Sequence, residues 1–344
     1  MHTIENEEEL EERLSRPTSG LLEAFGGLEG DICVLGAGGK MGPTLARMAR
    51  RALDQSGRSG QKVLAVARFS DRTAREKLEA VGVETLVADL SNRTSVNDLP
   101  DATNIVFMAG QKFGTVDAPD ITWMMNTHVP ALVAERYAHP ERRIVVFSTG
   151  CVYPNVPVGS GGSREADALE PLGDYANSCV GRERIFTYFS RTREAPMLLF
   201  RLNYAVDLRY GVLVDIGRKV RDGATVDVTM GQANVIWQGD ANAMALQSLL
   251  YADSPPLALN VTGPETFSVR AVAQRFGELF GTSPHIVGTE APTALLSNAS
   301  RAHALFGYPT VPLETLLLWV ADWLQRGNRL LNKPTHFETR DGKY

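Results

Sequence analysis

Gly36-Ala37-Gly38-Gly39-Lys40-Met41-Gly42 is the stretch of sequence that decides the fold. It follows an apolar run at residues 32–35 and opens a helical pattern at residues 41–53. Glycines at 36, 39 and 42 allow a tight turn, a close approach of the backbone to a phosphate, and close helix–sheet packing. The N–H groups of the helix N-terminus would then face the phosphates. All seven residues except Ala37 are predicted to bind a dinucleotide.

Working outward from this turn, short apolar runs alternate with helical patterns. Strands are predicted at residues 32–35, 63–67, 85–88, 105–108, 144–147 and 197–200, and helices at residues 41–53, 73–81, 121–137 and 175–190. Several runs are apolar throughout, as expected for a parallel sheet covered on both faces. The pattern predicts an α/β fold, a doubly wound parallel Rossmann sheet with a smaller C-terminal substrate-binding lobe.

Four segments are predicted along the chain. Residues 1–30 form a polar leader with one short helix that carries Leu10 and Leu14 on one face. Residues 31–200 form the dinucleotide-binding Rossmann domain, and residues 201–327 form mainly the substrate lobe, interleaved with the end of the sheet. Residues 328–344 are polar and predict a tail on the surface. The predicted lobe has helices at residues 213–221, 242–251, 269–280 and 313–324, and strands near residues 226–229 and 257–261.

Composition excludes several classes of partner. The formal net charge of −5 gives no electrostatic reason to expect nucleic acid or an anionic membrane. No apolar run approaches the roughly 18 residues needed to span a bilayer, and the acidic N-terminus has no signal-peptide pattern. The three cysteines form no spaced framework and the six histidines no metal-ligand spacing. We therefore expect a cytoplasmic protein without a metal site.

The residues after the second and later strands bear on the choice of dinucleotide. NAD enzymes usually carry an acidic residue after the second strand, where this chain has Arg68. A guanidinium there can pair with a 2′-phosphate, which slightly favours NADP, although Arg68 could also be a solvated charge at a strand end. Asp89-Leu90 is expected near the adenine ring, and Ala109-Gly110 is expected to let the cofactor backbone pass close by.

At this point the chain resembles an extended short-chain dehydrogenase/reductase, the group that contains NAD-dependent sugar epimerases and dehydratases. The resemblance covers residues 31 to about 327. The matching elements are Gly36, Gly39 and Gly42; Asp89-Leu90; Met108-Ala109-Gly110; Asn126; Ser148-Thr149-Gly150-Cys151-Val152-Tyr153; Tyr175; Arg201-Leu202-Asn203; Trp237-Gln238-Gly239-Asp240; Asn260-Val261-Thr262-Gly263; and Ser300-Arg301-Ala302. The resemblance implies that Asn126, Tyr175 and Cys179 lie at the cofactor, that Thr149 hydrogen-bonds the reacting oxygen, and that Tyr175 is the general acid/base.

The chain departs from this group at one position. The group has a lysine four residues after the tyrosine, which holds the nicotinamide ribose and lowers the tyrosine pKa; here that residue is Cys179. Three interpretations stay open: Cys179 is a small filler beside a cation from elsewhere, the protein binds its cofactor without redox chemistry, or the thiol is catalytic. Lys112 is the first candidate for a replacement cation, and Arg182 is the second.

The resemblance also narrows the reaction. The 4,6-dehydratases of the group have an Asp-Glu pair after the catalytic threonine, where this chain has Gly150 and Cys151, so dehydration by that route is not expected. Oxidation of a hydroxyl, reduction of a carbonyl, or epimerisation through a transient ketone remain. The expected substrate is a sugar or sugar acid. Its contacts are expected from the loop at residues 154–172, from residues 203–210, which include Asn203 and Arg209, and from the region around residues 234–238. The alternative is an NAD(P)-binding sensor or partner protein with little turnover.

Members of this group commonly form homodimers, so a homodimer is expected here. It would form through the helix at residues 121–137 and the helix that carries Tyr175.

Overall fold

The computed structural model describes residues 3–112, 114 and 117–343, so both ends of the chain extend slightly beyond the described part. Its strands are β1 Ile32–Leu35, β2 Val63–Ala67, β3 Glu84–Val87, β4 Asn104–Phe107, β5 Arg143–Thr149, β6 Val156–Pro157, β7 Met197–Leu202, β8 Ala205–Val206, β9 Thr225–Asp227, β10 Gln232–Asn234, β11 Ile236–Trp237, β12 Leu257–Val261, β13 Thr266–Ser268, β14 His285–Val287 and β15 Thr293–Ala294.

The central sheet has seven strands in the order β12-β7-β5-β4-β1-β2-β3, and every neighbouring pair is parallel. The chain winds outward in one direction from β1 to β3 and in the other from β4 to β12. The carboxyl ends of β1 and β4 therefore flank the switch point, where open α/β sheets bind their ligands. The predicted doubly wound Rossmann sheet is confirmed.

Helices cover both faces of this sheet and build the lobe. They are α1 Glu7–Leu14, α2 Ser19–Gly26, α3 Gly42–Gln55, α4 Arg72–Glu79, α5 Arg93–Asn97, α6 Pro119–Trp123, α7 Val129–Tyr137, α8 Gly173–Arg193, α9 Val212–Arg221, α10 Gln238–Gln247, α11 Val269–Phe280, α12 Ser300–Phe306 and α13 Leu313–Gln325. Short 3₁₀ turns lie at Gly150–Val152, Val158–Ser160 and Ser248–Tyr251. None of the helices in the described part of the chain is long and apolar enough to cross a membrane.

The helix predicted at residues 121–137 is divided. α6 and α7 are joined by a π-helical turn, Met124–His128. A π-turn holds one extra residue, which shifts the faces of the two flanking helices relative to each other. Asn126 lies in this turn and is fully buried.

The N-terminal leader contains two helices where one was predicted. Thr18 accepts a hydrogen bond from the backbone N–H of Leu21 and caps α2, in the stretch that the sequence had suggested was a loop. Both helices bury their apolar side chains, which are Leu10, Leu14, Leu21 and Phe25. The leader is therefore packed against the rest of the protein.

The C-terminal residues differ from the predicted surface tail. The C-terminal strap, residues 328–343, has no helix or strand, but it packs against the lobe. Phe337 is 1% exposed within the lobe core, and the N–H and Oγ1 of Thr335 both donate to Asp215 Oδ2 at 2.7 Å. The large apolar residues of this polar segment, Leu330, Leu331 and Phe337, are too few to give a periodic signal, so the sequence pattern could not indicate this packing.

Candidate active site

Two adjoining cavities lie at the carboxyl edge of the sheet. The first, of about 420 Å³, lies between the sheet and the lobe and is lined by Thr149, Tyr175 and Asn203. The second, of about 400 Å³, lies over the ends of β2 and β3 and is lined by Arg68, Asp89 and Leu90. The glycine turn after β1 lines both cavities, and so do Met108, Gly110 and Lys333. The two cavities together suit an extended ligand that crosses the glycine turn.

The glycine turn fits a dinucleotide diphosphate. Gly36 has a φ of +91°, and a Cβ there would lie 2.6 Å from the backbone nitrogen of Ala109, so only glycine is accommodated. A Cβ on Gly42 would lie 2.4 Å from the carbonyl oxygen of Ala37, which keeps α3 close to the turn. At Gly39 a Cβ would meet only the Gly36 carbonyl oxygen, at 3.5 Å. The missing side chain of Gly39 therefore leaves room for a phosphate to approach the backbone.

The second cavity holds the residues expected at the adenosine end. Hydrogen bonds from the backbone N–H and the hydroxyl of Ser91 lower the pKa of Asp89, and the nearby guanidinium of Arg68 lowers it further. Arg68 is exposed and lines the cavity. A charged side chain at this place can meet either a 2′-hydroxyl or a 2′-phosphate, so NADP over NAD stays a prediction.

Thr149 and Tyr175 meet in the first cavity. Thr149 is the last residue of β5, where its Oγ1 accepts a hydrogen bond from the Cys151 N–H at 3.1 Å, and Tyr175 lies in the first turn of α8. Both side chains line this cavity. Burial is the main cause that raises the pKa of Tyr175 well above 10, and the neighbouring thiols add to it, while Arg182 and Thr149 oppose the shift. The phenol is therefore protonated at neutral pH.

Cys179 lies one turn after Tyr175 on α8 and is 1% exposed. It packs in a small apolar cluster with Val152 and Tyr153. Burial raises the pKa of Cys179 to about 11, so the group is a neutral thiol at physiological pH. This environment favours a packing role and argues against a thiolate nucleophile, which needs a lowered pKa.

Arg182 brings a buried positive charge to the same cavity. Its side chain is 6% exposed; Nη1 donates to the carbonyl oxygen of Phe147 at 2.7 Å and Nη2 donates to Asn126 Oδ1 at 2.6 Å. Nε has no hydrogen-bond partner among the described residues. A Cβ on Gly110 would lie 2.2 Å from Nη2, so the guanidinium occupies the space that this glycine leaves. The sequence had assigned Gly110 to the passage of the cofactor alone.

Asn126 holds the loop after β4 and the guanidinium of Arg182 in place through side-chain hydrogen bonds. Its Oδ1 accepts from the Gln111 N–H at 2.9 Å and from Arg182, while its Nδ2 donates to the Gln111 carbonyl and to Ser178 Oγ, both at 2.9 Å. These four bonds use both donors and both lone pairs of the amide. Asn126 therefore fixes the loop after β4 and the guanidinium, and has no hydrogen bond left for the cofactor that was expected to contact it.

Lys112 lines the first cavity, with Nζ 5.9 Å from the centroid of the Tyr175 ring. Lys40 lines the same cavity, with Nζ 3.0 Å from the centroid of the Tyr210 ring. Burial lowers the pKa of Lys40 to about 7, and the positive charges of Lys112 and Lys333 contribute to that decrease. Lys333 belongs to the C-terminal strap, so three separate segments bring ammonium groups to one cavity.

The two residues expected to contact substrate have different positions. Asn203 lines the first cavity, and its Nδ2 donates to Asn234 Oδ1 at 2.8 Å. Arg209 instead forms a buried ion pair with Asp207 at 2.6 Å and a second with Glu11 of α1 at 3.2 Å. The structure therefore gives Arg209 a structural role in place of the expected substrate contact, because its guanidinium joins the leader to the lobe.

Lys333 and Thr335 line the first cavity and were missed by the sequence analysis, whereas Tyr204, Tyr210 and Gln238 lie in segments from which substrate contacts were expected. The two missed residues follow no fixed spacing from the recognised motifs, while Tyr204 directly follows Arg201-Leu202-Asn203. Its φ of +45° is unusual for a residue with a side chain and marks a strained position beside the cavity. Within the described ranges, no group of three or more His, Cys, Asp or Glu side chains is placed to hold a metal ion.

Solved structures with a similar fold include several sugar-nucleotide enzymes. They include dTDP-glucose 4,6-dehydratase (DesIV) from Streptomyces venezuelae with NAD and TYD bound (TM-score 0.71, 17% identity, 86% of this chain and 98% of that chain). UDP-glucuronic acid 4-epimerase from Bacillus cereus in complex with NAD is also similar (TM-score 0.70, 17% identity, 87% and 100%). So is UDP-glucose 4-epimerase from Thermotoga maritima with UDP-glucose (TM-score 0.68, 16% identity, 86% and 99%). At these identities the likeness concerns the fold.

A comparison with curated proteins found no significant match. The model of the NAD dependent epimerase/dehydratase family matches residues 32–205, which is just over half of the chain and includes the glycine turn, Thr149 and Tyr175. The chain therefore belongs to the NAD dependent epimerase/dehydratase family.

Proposed function

We propose that the protein is an NAD(P)-dependent oxidoreductase or epimerase that acts on a hydroxyl or carbonyl group of a sugar or sugar acid. The observation that carries this proposal is that Thr149 and Tyr175 line one cavity, which continues to the glycine turn. When bound, the nicotinamide would exchange a hydride with a carbon of the substrate.

Tyr175 and Thr149 handle the proton in this proposal. The protonated phenol of Tyr175 donates its proton to the carbonyl oxygen of the substrate during reduction, and Thr149 hydrogen-bonds the same oxygen. For oxidation the phenol must first lose its proton. That step requires a positive charge close to Tyr175, because burial opposes formation of the phenolate.

Arg182 is the cation that best fits this requirement. Its guanidinium is buried and lowers the pKa of Tyr175, and two hydrogen bonds hold it in place. Solvent screens a buried charge less than an exposed one. Lys112, the first candidate from the sequence, is half-buried with Nζ 5.9 Å from the centroid of the Tyr175 ring, and its role stays a prediction. We assign the electrostatic role of the missing lysine to Arg182.

Two further features of the proposal concern cofactor and assembly. The exposed guanidinium of Arg68 in the second cavity supports NADP as a cofactor beside NAD. Exposed apolar side chains on α6 and α8 support a homodimer through these helices, because Ile121, Trp123 and Tyr188 are 45%, 39% and 62% exposed.

A second candidate function is cofactor binding with little or no turnover, in a sensor or partner role. It is favoured by the strongly raised pKa of Tyr175 and by the neutral thiol of Cys179 where the group has a lysine. In this alternative the cavities and the glycine turn are kept for binding, and the phenol never becomes a base.

One set of assays separates the two candidates. The protein is mixed with NAD⁺ or NADP⁺ and a panel of sugars and sugar acids, and reduced nicotinamide is followed by absorbance. An epimerase that recycles its cofactor is detected by NMR of proton exchange at the sugar carbon. We expect turnover that falls about 10²- to 10⁴-fold in Tyr175→Phe, since that is the usual contribution of a general acid. Cofactor binding without either signal would establish the binding role instead.

A further inference from the structure

The C-terminal strap forms part of the wall of the first cavity, although it lies far beyond the family match at residues 32–205. Its residues Lys333 and Thr335 line this cavity, and Lys333 also lines the second. The backbone is fixed on both sides of Lys333. Leu331 N donates to the carbonyl oxygen of Arg209 at 3.0 Å, and Thr335 is bonded to Asp215. The strap is therefore a built part of the site.

The first cavity is strongly cationic. The charged side chains among its described lining residues are Lys40, Lys112, Arg182 and Lys333, and these include no carboxylate. The carboxylates that raise the pKa of Lys40 belong to Asp207 and Asp215, which are engaged elsewhere. Asp207 pairs with Arg209 at 2.6 Å, and Asp215 accepts two hydrogen bonds from Thr335. Among the described residues that line the first cavity, positive charges therefore outnumber negative ones.

Lys40 lies within electrostatic range of both Lys112 and Lys333. Burial contributes most to the lowered pKa of Lys40, and the positive charges of Lys112 and Lys333 make the next largest contributions. Holding like charges this close destabilises the empty site, and a bound anion would relieve that repulsion. Lys333 borders both cavities, so an anion bound to it would lie next to the glycine turn.

We propose that Lys333 of the C-terminal strap forms, with Lys40 and Lys112, a binding site for an oxyanion, a carboxylate or phosphate group, where the two cavities meet. The inference rests on the proposed function only for the identity of the molecule that carries this group. Two carriers have the required chemistry: the diphosphate of the dinucleotide and an acidic group on the sugar substrate.

The proposal is tested by calorimetric binding measurements on Lys333→Gln, which removes the charge and keeps most of the side-chain length. ADP-ribose reports on the dinucleotide diphosphate. Glucuronate, titrated into protein saturated with NAD⁺, reports on a substrate carboxylate, and glucose is its neutral counterpart. Lys343→Gln is the matched control, because Lys343 lies in the same strap with a side chain that is 73% exposed. Melting temperatures verify that both variants are folded.

We expect Lys333→Gln to weaken at least one anionic probe about five- to tenfold, more at low salt, with no change for Lys343→Gln. Weaker binding of ADP-ribose alone would assign the site to the dinucleotide, and weaker binding of glucuronate alone would assign it to the substrate. Affinities for both probes within twofold of the wild-type values would overturn the proposal. None of these measurements requires turnover, so they test the oxyanion site independently of the proposed reaction.

Discussion

Gly110→Ala should disable the site without removing any charged group. The added Cβ would lie 2.2 Å from Nη2 of Arg182 and 2.9 Å from Oδ1 of Asn126. Ordinary van der Waals contact begins at about 3.5 Å, so the guanidinium must move by roughly 1 Å. The substitution therefore tests whether the position of the Arg182 charge matters, with the charge itself kept.

The size of the effect follows from the bonds that this movement breaks. Nη1 and Nη2 of Arg182 donate hydrogen bonds of 2.7 and 2.6 Å, and a shift of about 1 Å takes both beyond the usual limit of about 3.2 Å. Hydrogen bonds to a charged group contribute about 1.5–3 kcal/mol each, and the chain can relax in part. We expect a loss of about 2–4 kcal/mol in the free energy of unfolding and about a 10²-fold decrease in kcat, the typical cost of a 1 Å displacement in an active site.

Urea denaturation gives the change in stability, and steady-state kinetics on the folded protein give kcat and KM. Dinucleotide affinity should change less than kcat, because the added methyl group points at Arg182. Gly60→Ala is the control, since a Cβ there meets nothing within 4 Å. Arg182→Lys keeps a charge but loses the paired donors, and we expect activity between those of wild type and Gly110→Ala. A folded Gly110→Ala protein with kcat within threefold of wild type would refute the role of Arg182.

Three further outcomes are expected. Arg68→Gln should weaken NADP⁺ about tenfold relative to NAD⁺ in fluorescence titrations, because the guanidinium pairs with the 2′-phosphate; an equal loss for both dinucleotides would contradict this. Tyr188→Glu should convert the proposed dimer to a monomer in sedimentation, since it charges a side chain that is 62% exposed, and a monomeric wild type would exclude this dimer. The affinity for glucuronate should fall as pH rises through about 7, because Lys40 loses its proton there; pH-independent affinity between pH 6 and 9 would exclude Lys40 from the oxyanion site.

The sheet could be predicted because its strands are continuous apolar runs. The bounds of β1, β2 and β12 agree with the predicted ones, and the other five predicted strands shift by one or two residues at either end. The short strands β6, β8, β10, β11, β13, β14 and β15 were not predicted. β5 continues to Thr149, two residues beyond the predicted end. Ser148 and Thr149 are polar, and they extend the strand because they pair with Arg201 and Leu202 of β7. Pairing between segments about fifty residues apart leaves no trace in local periodicity.

The sequence predicted the site residues that belong to motifs with fixed spacing. It missed those whose position depends on the reach of a long side chain or on packing between distant segments. The sequence ranked Arg182 below Lys112, since seven residues on a helix separate Arg182 from Tyr175 by about 10 Å along the axis. Long helical side chains lean toward the N-terminus, which brings the guanidinium back toward the phenol. Lys333 could not be found in this way, because the hydrogen bonds of Thr335 to Asp215 that position the strap span 120 residues.

The two kinds of cation in the first cavity have different dependence on pH, and this difference separates their roles. An arginine keeps its proton throughout the physiological range, so the effect of Arg182 on Tyr175 is constant there. Lys40 has a pKa lowered to about 7, so its ammonium is fully present below that pH and is lost above it. An anionic substrate should therefore show a KM that rises above pH 7. Because the pKa of Tyr175 lies well above 10, kcat for reduction should stay constant over the same range.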